Sequence, residues 1–189
     1  GQGIYVTRYY DPYVHHNDLH ENRHGVHMED GRFEDNVVWG NTERGISIGY
    51  GGATASGNTV FDNEIGIRVA SDRDTVWVRN NVVYDNAIYG IEAVSTMLYS
   101  TGGVRLVNNT VYEPTAQGVR VHGASEHVQL RNNIIWADGG YELYVADDSQ
   151  EGFASDSNLF WGAAPGAFLH WQEDFDDLAD WTLELGFDA

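Results

Sequence analysis

Two arginines and a glutamate stand at matching places in a recurring pattern, with a histidine two residues beyond the last: Arg68 in GIRVA, Glu92 in GIEAV, Arg120 and His122 in GVRVH. Each pattern opens on a glycine and alternates apolar with variable residues. A guanidinium can neutralise a carboxylate or steady developing negative charge, and a nearby imidazole can take a proton. The same variable place is held elsewhere by Tyr5, His27, Ser47 and Tyr144, with Glu29 two residues beyond His27. Lysine is absent, so chemistry that needs a lysine base is excluded within the chain. Cysteine is absent too, which removes disulfides, thiolate metal ligands and cysteine nucleophiles. A plain alternative is an Arg–Glu–Arg surface ladder that only favours stacking.

These residues can meet only if a repeat stacks them. Aligning on one asparagine gives Asn17, Asn36, Asn58, Asn81, Asn109, Asn133 and Asn158. Aligning on the later glycine gives Gly3, Gly25, Gly45, Gly66, Gly90 and Gly118, with Glu142 in the seventh place. The two markers keep step along the whole run, which is a repeat signature. After each glycine come paired apolar residues, from Ile4 and Val6 to Leu143 and Val145, the alternation of a short strand with one buried face. Two residues past each asparagine lies another buried apolar residue: Leu19, Val38, Val60, Val83, Val111, Ile135 and Phe160. A third strand shows in the middle repeats, as in TVWVRN, GVRLVN and HVQLRN. Units this short cannot stand alone and must stack on their neighbours.

The pattern resembles the right-handed parallel β-helix repeats of the pectate-lyase-like superfamily over about residues 3 to 162. The fold expected is all-β, a solenoid of seven coils with three short strands each. The resemblance puts the asparagine at a tight corner, in left-handed backbone, hydrogen-bonded to its stacked counterpart. Asn58 and Asn63 then bound one strand of one coil, and the doubled Asn80–Asn81, Asn108–Asn109 and Asn132–Asn133 belong to such ladders. The sequon at Asn108 falls on a ladder position and is set aside as a glycosylation site. In lyases and uronate epimerases that share the fold, the outward face works on acidic sugars. By that likeness Arg68 or Arg120 would neutralise a sugar carboxylate, and His122, His27 or Tyr144 would take the neighbouring proton. Polysaccharide is then the expected partner, with Tyr5, His27 and Tyr144 in contact, and the setting extracellular or the cell surface. The superfamily also holds adhesins and spikes, so a structural, self-associating module is the competing expectation.

A second column follows three residues after each asparagine: His20, Trp39, Phe61, Tyr84, Tyr112, Trp136 and Trp161. An outward aromatic stripe suits sugar rings, or else a covering tail. The histidines of VHHNDLHENRHGVH do not converge in this register, so no transition-metal site is expected. Asp72 and Asp74 in SDRDT, with Asp147 and Asp148 in ADDS, offer hard oxygen ligands that would suit calcium.

The 29 acidic residues and ten arginines give a net charge of -19, which argues against nucleic-acid binding. No apolar run is long enough for a membrane-spanning helix. The solenoid is expected over 1–162, with a linker and short helix over 163–189 packing on or capping it. In that tail GAAPGAF reads as a turn, and Asp174 or Asp176 caps a helix carrying Phe175, Leu178 and Leu185 that Gly186 ends. A core strand opening at Gly3 predicts end-to-end contact with another chain or further coils.

Overall fold

The computed structural model describes residues 1–8, 11–70, 74–95, 102–162 and 168–189. They wind into an all-β parallel solenoid of three sheets. Sheet A runs along the axis through Gln2–Val6, His24–Met28, Arg44–Gly49, Ile65–Ala70, Tyr89–Val94, Gln117–His122 and Leu143–Val145. Sheets B and C each hold seven strands of three or four residues. Seven rungs therefore stack through six successive turns. The register keeps like residues over like: Ile46, Ile67, Ile91, Val119 and Leu143 form one inward column of sheet A. Val38, Val60, Val83, Val111, Ile135 and Phe160 line sheet C inside, and all are buried. Sheet B is present in every rung, not only the middle ones. In the early rungs Phe33 and Ala55 alternate large with small in its inward column, which weakens the apolar pattern in the sequence.

Two asparagine ladders hold the corners. In the first, the backbone N–H and the side-chain amide of each asparagine donate to Oδ1 of the next, from Asn17 through Asn158, at 2.8–3.1 Å. In the second, Asn22 through its backbone, and Asn41, Asn63 and Asn86 through both groups, donate to the next rung, ending on the Glu113 carboxylate. One expectation is corrected. The ladder asparagines are not the left-handed residues; the residue just ahead is, as at Asp35, Asn80, Asn108 and Asn132, with φ between 54° and 57°. That division frees the buried amide to bond between rungs while its neighbour makes the bend.

The glycine column leaves room for the ladder. A Cβ on Gly66 would sit 2.6 Å from the Gly90 carbonyl and 2.9 Å from the Asn86 amide. In rung seven Glu142 takes this place, and its carboxyl is buried in the corner with neither oxygen in a formed hydrogen bond.

The tail differs from its sequence reading. Leu169–Trp171 extends sheet A, and Glu173–Phe175 folds back antiparallel on it. Phe175 and Asp174 are thus in a strand, because pairing with Leu169 and His170 outweighs their helical spacing. The helix, α1, covers Leu178–Leu185, capped by Asp177, whose side chain accepts from Ala179 N–H. Gly186 ends it at φ 72°. Trp181 is fully buried among Phe175 and Phe187, which with Trp171 and Phe153 form one aromatic cluster. Asp188 then takes the eighth place in the first ladder, accepting from Asn158 N–H and its amide, from Ser155 and from Trp181 Nε1. The turn expected around Pro165 lies outside the described residues.

Candidate functional site

Parallel pairing puts Tyr5, His27, Ser47, Arg68, Glu92, Arg120 and Tyr144 in one row on the outer face of sheet A. Neighbours in that row are about 4.8 Å apart along the axis. At its centre Glu92 is 7% exposed. One oxygen lies 2.9 Å from His122 Nε2, and the other lies 3.0 Å from Arg68 Nε, an ion pair without an aligned hydrogen bond. Burial opposes its charge. The His122 hydrogen bond, with Arg68, His122 and Arg44 as charges, outweighs burial and holds the carboxyl below the usual range. Arg44 itself, pushed down by burial and by Arg68, is a second arginine close to this carboxylate. It stands in the flanking column between His24 and Ile65, a place that the alternating pattern did not single out.

Toward the first rung, His27 stacks on Tyr5 at 5.2 Å, and its Nδ1 is 3.2 Å from Ser47 Oγ. Burial lowers the His27 pKa, so its ring is neutral at ordinary pH, the form that accepts a proton. Tyr5 donates its hydroxyl to Glu29. Beside them opens a cleft of about 370 Å³ lined by Arg8, Glu29, Asp30, Tyr50, Gly51, Gly52 and Asp74.

Toward the last rungs, Arg120 turns from Glu92. Its guanidinium lies 4.2 Å from the centre of the Tyr144 ring and donates to Gln117. The structure thus joins Arg68, Glu92 and His122 directly, with His27 and Ser47 as a separate pair and Arg120 with Tyr144 as another. Together they present cations, one held carboxylate and two imidazoles along one strip, suited to an anionic ligand and to proton transfer beside it.

The aromatic column lies outward on sheet C. His20, Trp39, Phe61 and Tyr84 stack face to face, with interplanar angles of 14°, 6° and 6°. Their faces are used against one another, and the outer edges are what solvent meets. Tyr112 and Trp136 meet edge to face, and Trp161 is 60% exposed.

The described residues hold no group of three or more histidine, aspartate or glutamate side chains placed to share a metal ion. Met28 is wholly buried, His20 faces Trp39, His122 faces Glu92 and His170 faces Asp174. His15 and His16 meet at Nδ1, 2.6 Å apart, with no third histidine, aspartate or glutamate ligand among the described residues. Of the calcium candidates, Asp72 lies outside the described residues, Asp74 lines the cleft, and Asp147 and Asp148 form a single 3-10 turn. Histidine pairs and sequence-local acids were visible before folding, whereas Arg44, which meets Glu92 of another rung, and Asp174, which a hairpin sets against His170, were not.

No curated protein and no solved structure matches the chain. A family model does, over residues 1–161, the whole of the seven-rung solenoid. The chain therefore belongs to the family described as periplasmic copper-binding protein (NosD).

Proposed function

We propose that this chain is a periplasmic or cell-surface β-helix that binds an acidic polysaccharide along the outer face of sheet A. One observation carries the reading. In a chain of net charge -19, three arginines share a single face, Arg44 and Arg68 beside the buried Glu92 carboxylate and Arg120 over the Tyr144 ring. Local cations act at short range, where the field of the whole chain is screened by salt. The same strip carries the groups for proton abstraction next to a sugar carboxylate. Arg68 and Arg44 would neutralise the carboxylate, and His27, neutral, or His122, set by Glu92, would take the adjacent proton. In β-elimination that proton passes to the imidazole, the C4–O bond breaks with its electron pair going to the leaving sugar's oxygen, which takes a proton from water, and a C4–C5 double bond forms. On sheet C, Trp161 is the ring most open to a sugar face, and Tyr112 and Trp136 would extend the contact.

The copper binding in the family's description stays with the family. With no cysteine in the chain, a buried Met28 and no group of three histidine, aspartate or glutamate side chains, the described residues do not make up a multidentate copper site; Met97 lies outside them.

The test is affinity electrophoresis on uronate polysaccharides, with product absorbance followed in the ultraviolet. Wild type should be retarded, and Arg68→Ala and Glu92→Gln should lose most of the retardation. Equal migration of all three, with and without the polymers, would sink the reading. The self-associating module is favoured by a different feature, the apolar outer face of sheet C at Val37, Val82, Ile134 and Leu159. Light scattering that shows a concentration-dependent oligomer, abolished by Ile134→Glu, would favour that reading instead.

A further inference from the structure

Sheet A does not stop where the repeat ends. Leu169–Trp171 pairs with Leu143–Val145, placing His170 beside Tyr144 in rung eight. The returning strand then sets Asp174 opposite His170. His170 Nδ1 lies 2.6 Å from Asp174 Oδ1, and the Tyr141 hydroxyl donates to that same oxygen at 2.9 Å. These bonds hold the Asp174 carboxyl below its ordinary range. With Nδ1 committed, Nε2 is the nitrogen left for a ligand.

The ring also completes a stack. Tyr144 and His170 lie 4.3 Å apart and within 3° of parallel. Arg120 lies 4.2 Å from the Tyr144 ring centre and 5.5 Å from that of Tyr89. Tyr89, Arg120, Tyr144 and His170 thus run through four successive rungs. Their faces meet one another, so guanidinium N–H groups, phenol hydroxyls and an imidazole nitrogen are what the edges can offer. The arrangement parallels Glu92–His122 in that a carboxylate sets an imidazole, while here the arginine is separated from the imidazole by the Tyr144 ring. His170 and Asp174 lie beyond the residues matched by the family model.

We propose that Arg120, Tyr144 and His170 form a second sugar subsite, in which Arg120 takes the carboxylate of one unit of an acidic glycan and His170 Nε2 takes a hydroxyl of it. Asp174 and Tyr141 are positioning residues. This rests on the reading of sheet A as a glycan face. From Arg68 to His170 is four rungs, about 19 Å, so a ligand that reaches both subsites is an oligosaccharide rather than a single sugar.

The experiment is calorimetric titration of the full chain with galacturonate and mannuronate oligomers of two and of six sugars. His170→Gln should weaken the six-sugar ligand about tenfold, a loss of about 1.4 kcal/mol, and change two-sugar binding less than about twofold. Asp174→Asn should weaken it in the same sense and, without ligand, change the His170 tautomer seen in imidazole nitrogen spectra. In wild type the six-sugar ligand should shift the His170 Nε2 resonance and the two-sugar ligand should not. Equal affinity of wild type and His170→Gln for the six-sugar ligand, with an unmoved resonance, would overturn the subsite. Failure of wild type to bind either oligomer would instead remove the glycan reading on which it stands. Melting curves of both variants separate loss of binding from loss of the hairpin.

Discussion

Glu142→Gln is expected to stabilise the protein at alkaline pH and to leave it nearly unchanged in acid. The Glu142 carboxyl occupies the corner that a glycine fills in earlier rungs, and Gly162 packs so closely that a Cβ there would collide with Oε1. Backbone N–H groups of Glu142 and Ala137 face it without forming an aligned hydrogen bond. Burial, with Asp138 adding to it, pushes the carboxyl from 4.5 up to about 8. The folded chain therefore holds a proton that the unfolded chain releases, and stability falls as pH rises from about 4.5 to about 8. At about 1.36 kcal/mol per unit the ceiling is about 5 kcal/mol. Water reaching the charged corner would relax this to about 2 kcal/mol. Glutamine does not titrate, so the two proteins should melt together near pH 4 and separate by about 4–8 °C at pH 9. Glu113, raised to about 7 by burial, acts in the same direction in both and cancels in the difference. Differential scanning calorimetry from pH 4 to pH 9 reads the result. A separation that stays constant over that range would refute the reasoning, since a packing effect does not follow a proton.

Other substitutions probe the ladders and the tail. Asn109→Ala removes an acceptor from Asn81 and donors to Val78 and Asn133, and should cost about 3 kcal/mol in urea unfolding, against about 1 kcal/mol or less for the exposed neighbour Asn108→Ala. Asp188→Ala strands the Asn158 amide and Trp181 Nε1 and should lower stability by about 2 kcal/mol, with Asp188→Asn about half as harmful by the same measurement. Gly66→Ala forces its Cβ against the Gly90 carbonyl and Val83 Cγ1, and a loss of about 1–3 kcal/mol is expected in thermal melts. Melts of Asp188→Ala matching wild type would show that the tail does not hold the last rung.

The solenoid was readable because its period is written twice, in asparagines and in glycines, and each marker has one physical duty. Inward columns such as Ile46, Ile67 and Ile91 follow from alternation alone. The face of sheet A was readable as a row for the same reason, although its contacts were not. Arg120 points to Tyr144 rather than Glu92 because a stacked ring one rung on attracts the guanidinium, and side-chain direction is not periodic. Arg44 sits where the strand enters its glycine, outside the alternation that marks the row. His170 and Asp174 depend on a hairpin with no repeat behind it, and helical spacing of Phe175 and Leu178 disguised the strand.

Each ladder also has a direction. Every asparagine gives its backbone N–H to the rung ahead, and all but Asn22 give a side-chain N–H as well, so whichever group stands last receives and has no rung of its own kind to serve. A primary amide there would keep one hydrogen on a backbone carbonyl and leave the other without its ladder acceptor, whereas an ionised carboxyl only accepts. Both runs close on one: Asp188 for the first and Glu113 for the second. An acid standing where the period calls for asparagine is therefore punctuation, a full stop in a one-way chain. Read that way, the second corner finishes its amide run three rungs before the first, and two rungs past that stop Glu142 takes over a place otherwise kept by glycine.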